Sequence, residues 1–353
     1  MMQTLFLREA LDAMQDMVRV LSPERRVVLS NASYRAAFGD QTGAKCYEMF
    51  CAGGECAHCV SKIAWNTHKS VDKRHRHHGR VYWINASPIF SKEGEVQGVV
   101  EVMRDVTEME EEQKRLREQN RRLLEEMNSA ARMQRDLFVT NLPEEMGISL
   151  HSRYLPANRV GGDFFGCIPS ENKAVFYMAD VSGHGMSSAM IGLLVADAIR
   201  KAVEAGEESP AAILAGAQRE FCSITRDPQV YVTAFLGILD PENGRFRYST
   251  AAHHAAPLFC SKEGVRQLSC PSFPICSWME EIQYEEQELF WDHGDRLLAY
   301  TDGLTDERSS TIAEEDLSEL VCTKDGEALM EALEKQILPD REDDVCLLLV
   351  KRK

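Results

Sequence analysis

The stretch from Glu108 to Phe138 contains no glycine or proline and is dominated by Glu, Gln, Arg, Leu and Met. A run of helix-forming residues without a helix breaker predicts one long helix. A chain of 353 residues is too long for one ordinary hydrophobic core. We therefore interpret residues 108–141 as a connector between two domains, residues 1–107 and residues 142–353, with Leu142-Pro143 ending the helix.

Within this connector, apolar residues recur at every seventh position, namely Met109, Leu116, Leu123, Ala130 and Leu137. A second seam between them holds Gln113, Asn120, Met127 and Gln134. This pattern predicts a parallel two-stranded coiled coil and hence a homodimer, in which a polar Asn120 sets the register. The alternative is a single amphipathic helix packed on its own domain.

Bulk composition excludes several function classes. A net charge of -16 and a pI near 5.2 argue against nucleic acid as a partner, because clustered Lys and Arg normally supply that affinity. The longest apolar run, residues 190–196, falls far short of the roughly 18 residues of a membrane span. The amino-terminal segment has acidic residues among its apolar positions, unlike a signal peptide. We expect a soluble, cytoplasmic protein whose cysteines are reduced thiols or metal ligands rather than disulfides.

Residues 1–107 read as a helix followed by short strands. The segments RVVLSN, RVYWINASPIF and VQGVVEVMRDVT predict strands, and Glu93-Gly94 suits a hairpin turn between the last two. This layout, with Asn31 after a strand and Asp105-Val106-Thr107 closing the last one, resembles a PAS sensor domain. The resemblance implies a small antiparallel sheet flanked by helices.

Four cysteines lie within fourteen residues of this region: Cys46, Cys51, Cys56 and Cys59. The C-x4-C-x2-C spacing is that of one iron-sulfur class, and the CxxC pair also suits zinc. These cysteines are therefore candidate ligands of a second metal or cluster. Against this hypothesis, free cysteines often behave as small buried apolar residues, and no second CxxC completes a zinc ribbon.

In residues 142–353, three apolar runs stop at an aspartate beside glycine or valine: Asp163, Asp180 and Asp302. The pair Asp343-Asp344 opens the last strand. Unpaired carboxylates are costly at buried strand ends, so four of them imply a shared cation. Oxygen ligands favour Mg2+ or Mn2+ over Zn2+. Two such ions activate water for phosphate hydrolysis.

The series VGGDFF, ADVSGHG, FLGILDPENGRFRYSTAAHHAAPL, YTDGLTD and DDVCLLLV resembles the SpoIIE and RsbU type of PPM metal-dependent serine/threonine phosphatases. Upstream, Ala131, Gln134 and Leu137 resemble the helix that leads into that domain. The resemblance implies an α-β-β-α sandwich, so the expected fold class is α+β throughout. It also implies a substrate, a phosphorylated STAS-domain anti-anti-sigma protein.

The resemblance also assigns site residues. Asp163, Asp180, Asp302 and Asp343 match the catalytic metal ligands, with Asp343 preferred over Asp344. Asp180 would bridge two ions, and Val181 would offer its backbone carbonyl. His184 is a candidate general acid or a loop residue, and His253 and His254 suit a turn. Gly166 stands where many members carry another aspartate, which puts an additional metal site in doubt.

The sequence therefore predicts a PAS-regulated phosphatase that hydrolyses phosphoserine or phosphothreonine with metal-activated water. One alternative is a catalytically weak module of the same fold that only binds its partner. Another is a nucleotide cyclase, since VGGDFF contains the letters GGDF. A cyclase needs an acidic residue at Phe164 or Phe165 and leaves the other aspartates without a role.

Overall fold

The computed structural model describes residues 2–49, 54, 56, 58–138, 142–183 and 185–353. The chain divides into two compact units between Arg122 and Leu123. The predicted class, α+β with a PAS-like sheet followed by a two-sheet sandwich, is confirmed. None of the described helices combines the length and apolar character that crossing a bilayer requires.

The first unit is built around one five-stranded antiparallel sheet with the strand order β2-β1-β5-β4-β3. Its elements are α1 (Met2–Asp12), β1 (Met17–Leu21), β2 (Val27–Ser30), α2 (Ala32–Phe38), α3 (Val60–Thr67), β3 (Val71–His77), β4 (Arg80–Phe90) and β5 (Val96–Asp105). Sequence reasoning did not identify β1, whose five residues are too few for a clear alternating pattern.

Asn31 ties the start of this sheet together. Its Oδ1 accepts hydrogen bonds from the backbone N–H of Val18 at 2.9 Å and of Tyr34 at 3.0 Å, so it caps α2 while bridging to β1. Its Nδ2 donates to the carbonyl of Asp16 at 2.8 Å. The predicted β4–β5 hairpin is present, with Gly94 in the left-handed region at φ +88°. Along β3, half-buried and exposed residues alternate.

Helix α4 (Thr107–Leu137) follows β5 directly. Thr107 Oγ1 accepts a hydrogen bond from the backbone N–H of Val81 at 2.8 Å, and its own N–H donates to Asp105 Oδ1 at 3.0 Å. The Asp105-Val106-Thr107 segment therefore fixes the start of α4 against β4. Along the helix, Met109, Leu116 and Leu123 are each at least half exposed in the single chain. The apolar stripe of the predicted coiled coil thus faces outward over this stretch.

The last turns of α4, unlike its earlier part, contain buried residues. Ala131 and Gln134 are buried in the second unit, where Ala131 packs with Val160 and Ala189. A coiled coil through these residues would have to break that packing. The coiled coil over residues 108–141 stays a prediction, and Gln134 of its second seam is buried in the second unit.

The second unit has two stacked antiparallel sheets with helices on both outer faces. One sheet has the order β14-β10-β9-β8-β7, with β13 beside β9, and the other β12-β11-β15-β16-β6. The strands are β6 (Ile148–Leu155), β7 (Phe164–Ser170), β8 (Lys173–Val181), β9 (Tyr231–Asp240), β10 (Arg245–Ala251), β11 (Leu258–Ser261), β12 (Gly264–Gln267), β13 (Ile275–Cys276), β14 (Glu286–Phe290), β15 (Arg296–Tyr300) and β16 (Val345–Arg352). The helices are α5 (Met186–Glu204), α6 (Pro210–Ile224), α7 (Glu314–Thr323) and α8 (Gly326–Glu334), and two short 3-10 helices are Glu144–Met146 and Asp302–Leu304.

Three apolar layers hold this sandwich together. Helices α5 and α6 pack on the first sheet through Val195, Ile199 and Phe221, and α7 and α8 cover the second sheet. Between the sheets lies a layer centred on the fully buried Trp291 and Phe246. Burial of these layers from water supplies the main driving force for folding. The predicted α-β-β-α sandwich is therefore correct.

Candidate active site

Two of the predicted aspartates come from adjacent strands of the first sheet. Asp163 directly precedes β7, and Asp180 is the penultimate residue of β8. The two strands are antiparallel with Phe164 opposite Ala179, so the same register places Asp163 opposite Asp180. Phe164 and Phe165 are both buried, which turns the rest of the VGGDFF segment into the core.

The other aspartates come from the second sheet. Asp302 follows β15, and Asp343 and Asp344 precede β16, the strand that pairs with β15. Neighbouring antiparallel strands bring the end of one and the start of the next to the same edge. Both sheets therefore contribute carboxylates at one edge of the sandwich.

Glycines allow this close approach. A Cβ atom at Gly161 would lie 2.1 Å from Asp344 Oδ2, and one at Gly303 would lie 2.1 Å from the Asp344 carbonyl oxygen. A Cβ atom at Gly162 would lie 2.8 Å from the carbonyl oxygen of Val181. Any side chain at these positions collides with the backbone or with Asp344, so the glycine-aspartate pattern has a steric origin.

Asp344 is a buried anchor between the two sheets. Its Oδ1 accepts a hydrogen bond from the N–H of Ala157 at 2.8 Å, and its Oδ2 accepts one from Gly162 at 2.7 Å. Asp343 is exposed beside it, and its Oδ1 accepts the N–H of Asp344 at 2.8 Å. Both oxygens of Asp344 are thus engaged with backbone donors, whereas Asp343 keeps most of its carboxylate open.

Burial and mutual repulsion mark these carboxylates as one electrostatic cluster. Burial, followed by the charges of Asp180 and Asp344, raises the pKa of Asp163 well above its ordinary value. Burial, followed by the charge of Asp302, raises the pKa of Asp180 to about 7. Burial and the charge of Asp343 likewise raise the pKa of Asp302. Clusters of this kind occur where a cation or a proton is held.

One carboxylate oxygen of Asp163 is buried without a hydrogen-bond partner among the described residues. This oxygen, Oδ2, is inaccessible to solvent and accepts no hydrogen bond from any group that the structure describes. An unpaired carboxylate oxygen in the interior is costly unless a cation or donor satisfies it. The donor set, which consists of carboxylates and a nearby backbone carbonyl at Val181, suits Mg2+ or Mn2+. In the described part of the chain, however, no three acidic, His or Cys side chains form a closed ligand group.

Gln134, at the end of α4, contacts the same loop. Its Nε2 donates to the carbonyl of Gly161 at 2.7 Å, and its Oε1 accepts from the hydroxyl of Tyr154 at 3.1 Å. The N–H of Gly161 donates to that same hydroxyl at 3.0 Å. Sequence reasoning noted Gln134 but missed Tyr154, since a lone tyrosine in a strand gives no signal.

The predicted histidines separate into different environments. His253 Nε2 lies 3.1 Å from the carbonyl of Tyr300, and its Nδ1 lies 3.4 Å from Thr233 Oγ1. Burial lowers its pKa to about 4, so it is a neutral structural bridge between β9 and β15. His254 is exposed, and it offsets part of the rise that burial and Asp343 cause in the pKa of Asp302. His184 lies outside the described residues.

Gly166 departs from the family pattern for a packing reason. It pairs with Tyr177 across β7 and β8, and a Cβ atom at Gly166 would lie 2.4 Å from the Tyr177 ring. Tyr177 is buried, so the ring has no free space into which it could move. An aspartate cannot occupy position 166 while Tyr177 fills this volume.

In the first unit, two of the four predicted ligand cysteines are in direct contact. Cys46 and Cys59 are buried, and a hydrogen bond between their thiols raises the pKa of Cys46. That hydrogen bond lowers the pKa of Cys59 to about 5. Cys56 is half-buried, and Cys51 lies outside the described residues. The metal or cluster hypothesis for these cysteines stays a prediction.

Next to them lies a buried ion pair that sequence reasoning missed. Arg19 Nε donates to Glu101 Oε2 at 2.6 Å, and both side chains are less than 5% exposed. Arg19 Nη1 also donates to the hydroxyl of Tyr34 at 3.0 Å and to the carbonyl of Cys46 at 3.1 Å. The available signal was a lone charge in the middle of each apolar strand, VRV and VEV.

The sandwich and its carboxylate edge define the class of PPM-type, or PP2C-type, protein phosphatases. The chain belongs to the SpoIIE family: the family model described as Stage II sporulation protein E (SpoIIE) matches residues 170–353, just over half of the chain. A PAS fold model matches residues 11–111. The protein is thus a PAS-containing serine/threonine protein phosphatase of the SpoIIE and RsbU type. Asp163 lies before the matched SpoIIE segment.

Similar proteins agree with this membership. Phosphoserine phosphatase RsbU of Bacillus subtilis is 22% identical over 264 residues, which is 72% of this chain and 78% of RsbU. Phosphoserine phosphatase RsbP of Bacillus subtilis is 25% identical over 189 residues, 52% of this chain. The matched part spans only 46% of RsbP.

Two solved structures share the fold. The SiaA-PP2C domain of Pseudomonas aeruginosa has a TM-score of 0.55 at 20% identity and covers 66% of this chain and 97% of that domain. The RsbU and RsbW domains of Rv1364c from Mycobacterium tuberculosis give a TM-score of 0.50 at 25% identity, with 62% of each chain covered.

Proposed function

We propose that the second unit hydrolyses phosphoserine or phosphothreonine in a partner protein, using water activated by divalent ions held at the aspartate cluster. The observation that carries this proposal is Asp163 Oδ2, a buried carboxylate oxygen without a described partner, inside a group of carboxylates that raise one another's pKa. A divalent cation would relieve both the repulsion and the missing interaction.

Each aspartate has a distinct part in the proposal. Asp163, Asp180, Asp302 and Asp343 would hold the ions, together with the carbonyl of Val181. Asp344 would serve as a positioning residue, because both of its oxygens already accept backbone hydrogen bonds from Ala157 and Gly162. Mg2+ or Mn2+ bound there would acidify a water molecule and clamp the phosphoryl oxygens. The products are the free hydroxyl and inorganic phosphate.

The test is hydrolysis of a phosphorylated protein by the full chain with and without Mn2+. Phosphate release should require the ion and should disappear in Asp180→Asn and Asp302→Asn. Asp197→Asn is a matched control, since Asp197 is an exposed residue of α5 that pairs with Lys201. Undiminished turnover in Asp180→Asn would refute the assignment of the ligands.

For the substrate we propose a phosphorylated STAS-domain protein. This follows the resemblance to RsbU-type phosphatases and the similarity to the phosphoserine phosphatases RsbU and RsbP. To test this substrate, kcat/KM is measured for a phosphorylated STAS-domain protein and for an unrelated phosphoprotein of equal net charge. Equal kcat/KM values for the two would contradict it.

We further propose that the PAS unit regulates this activity through α4 in a homodimer. The exposed residues Met109, Leu116 and Leu123 form an apolar stripe of the kind that a second helix covers. The stripe would hold two copies together, and the covered end of α4 would carry a change to Gly161 through Gln134. Leu116→Glu/Leu123→Glu should convert a dimer into a monomer in sedimentation experiments, whereas Arg117→Glu should not.

One observation favours a second candidate, a partner-binding module with weak catalysis. No closed ligand group of three side chains exists among the described residues. Titration calorimetry with Mn2+ separates the two candidates. Absence of binding by the folded protein would favour the binding module, and binding with phosphate release would favour the enzyme.

A further inference from the structure

The sulfur atoms of Cys260 and Cys322 are in contact in the second unit. Their Sγ atoms lie 2.7 Å apart, although the two residues are separated by 62 positions in the chain. Both are free cysteines that lie outside the aspartate cluster and outside the predicted cysteine ligands of the sensor unit. A disulfide bond is about 2.0 Å long, so a small rotation of the two side chains would allow the sulfurs to bond.

The backbone holds both cysteines in place. Cys260 lies in β11, an inner strand whose neighbours β12 and β15 put Val265 and Arg296 opposite it. Cys322 lies in the last turn of α7. Arg296 connects the two elements, since its Nη2 donates to the carbonyl of Cys322 at 3.3 Å and its Nη1 donates to the carbonyl of Lys324 at 2.5 Å. The end of α7 is therefore fixed beside β11, and the two sulfurs meet without a change in the fold.

The pair lies at the boundary between an apolar layer and solvent. Cys260 is 6% exposed and belongs to the same apolar layer as Leu317 and Val321 of α7. Cys322 is partly exposed. Burial, followed by the hydrogen bond with Cys322, raises the pKa of Cys260 to about 11. Cys260 is therefore a thiol at neutral pH, and Cys322 is the residue that a reagent in solution reaches first.

A bond between these sulfurs would close a loop of the chain that contains Asp302. The segment from β11 to α7 includes β15 and the 3-10 helix Asp302–Leu304. Closing a loop removes conformations from the unfolded chain, and the loss is larger for a longer loop. The bond would therefore stabilise the second unit against unfolding and would hold α7 against the second sheet.

We propose that Cys260 and Cys322 form a thiol–disulfide modification site, which low-molecular-weight disulfides such as oxidised glutathione close and reduced glutathione opens. The Cys322 thiolate attacks one sulfur of oxidised glutathione, the S–S bond breaks, and one glutathione thiolate leaves and takes up a proton. The Cys260 sulfur then attacks the Cys322 sulfur, and the second glutathione leaves with the Cys260 proton. In sum, two protein thiols are oxidised to one disulfide, and one oxidised glutathione is reduced to two thiols.

Cys222 provides a matched comparison within the same unit. It is also a partly exposed cysteine, but its thiol donates to the carbonyl oxygen of Cys276 at 3.3 Å. The exchange at Cys222 should therefore stop at a mixed disulfide with glutathione. At Cys322 the neighbouring Cys260 sulfur should displace the glutathione, because the two sulfurs are already in contact.

The test equilibrates the full chain with glutathione buffers in which the ratio of oxidised to reduced glutathione increases in steps. Exchange is stopped with acid, free thiols are blocked with N-ethylmaleimide, and unreduced peptides are mapped by mass spectrometry. We expect the Cys260–Cys322 linked peptide to exceed the mixed disulfide of Cys322 with glutathione at least about tenfold. Cys222 should carry glutathione, and dithiothreitol should remove both modifications.

Variants separate the two steps of the exchange. Cys260→Ser should leave glutathione on Cys322, and Cys322→Ser should leave Cys260 unmodified because Cys260 is buried. In calorimetry, oxidised glutathione should raise the melting temperature of the second unit by at least about 5 °C. The same treatment should leave the melting temperature of the Cys260→Ser/Cys322→Ser chain unchanged. The mapping of the unaltered chain decides even where a variant fails to fold.

Three outcomes would overturn the proposal. They are a stable mixed disulfide at Cys322 without the linked peptide, a link between Cys222 and Cys276 that forms as readily as the link between Cys260 and Cys322, and a melting temperature that the link leaves unchanged.

Discussion

Gln134 donates a hydrogen bond of 2.7 Å from its Nε2 to the carbonyl of Gly161, two residues before Asp163. Both residues are buried, so this contact joins the last turns of α4 to the segment that carries the first aspartate. A displacement of the end of α4 would therefore also displace the Gly161-Gly162 segment.

Gln134→Ala should destabilise the Gly161-Gly162 segment. It removes a buried donor and acceptor and leaves the Gly161 carbonyl unpaired, which costs about 1–3 kcal/mol of unfolding free energy. We expect a lower free energy of unfolding in urea and weaker Mn2+ binding in calorimetry. Gln119→Ala, at an exposed position of the same helix, is the control. Equal Mn2+ affinity in the two variants would show that Gln134 does not position the site.

Asp180→Asn should raise the stability of the metal-free protein and lower its Mn2+-dependent phosphatase activity. The substitution removes a carboxylate whose ionised form is disfavoured by burial and by Asp302. The metal-free protein should therefore melt at a higher temperature than the unaltered chain, while Mn2+-dependent turnover falls at least about 100-fold through loss of a proposed ligand. Calorimetry in chelator and phosphate release with Mn2+ measure the two effects. A lower melting temperature would contradict the assigned repulsion.

The metal-free protein should lose stability as the pH rises. In the folded chain the pKa of Asp180 is about 7, above its ordinary value of 3.8, so between these pH values the folded state holds a proton that the unfolded state has released. The stabilising effect is complete below pH 3.8 and is lost as the pH rises through about 7, with a slope near 1.4 kcal/mol per pH unit for one proton. Urea unfolding across this range in chelator measures it. Mn2+ added at pH 7.5 should restore stability, and a flat profile would refute the prediction.

Gly166→Ala should destabilise the second unit because its Cβ atom would collide with the Tyr177 ring. We expect a loss of about 1–3 kcal/mol, the range for overpacking in a core. The loss caused by Gly166→Ala should be smaller when it is measured in a Tyr177→Ala background, where no ring meets the new Cβ atom. Gly216→Ala is the control, since its nearest contact is the flexible end of Arg219 at 3.8 Å and α6 favours alanine. Thermal unfolding of the unaltered chain, the three single variants and the double variant provides the comparison.

The sensor unit should have a much lower free energy of unfolding in Arg19→Met than in the double variant Arg19→Met/Glu101→Leu. The single change leaves the Glu101 charge buried without its partner, which costs about 3–5 kcal/mol. The double change replaces the ion pair with apolar groups and restores most of the loss. Urea unfolding of the sensor transition measures both. Equal stabilities would show that the pair is not coupled.

Much of the fold followed from local pattern. The glycine-free helix, the β4–β5 hairpin and the strands β8 and β15 were predictable because periodicity and turn residues are local signals. The carboxylate edge was predictable as well, since aspartate beside glycine at several strand ends has few structural explanations. We did not predict helix α6 from the sequence, although an N-cap serine, Ser209, followed by Pro210 is typical of a helix start.

What the sequence did not reveal depends on contacts between distant segments. Tyr154 meets Gln134 only because β6 lies beside the end of α4, and Arg19 meets Glu101 across 82 residues. The packing of Ala131 and Gln134 inside the second unit was likewise not predictable from the seven-residue repeat. Such contacts arise from packing, which a repeat in the sequence does not encode.

The aspartate cluster is divided between the two sheets, with Asp163 and Asp180 on one and Asp302 and Asp343 on the other. During synthesis the first sheet can pair its strands β7 to β10 while β16 is still inside the ribosome. A nascent chain at that stage has half of the carboxylates and therefore little of their mutual repulsion. The electrostatic cost and the proposed chemistry arise together, at the moment when β16 inserts between β15 and β6.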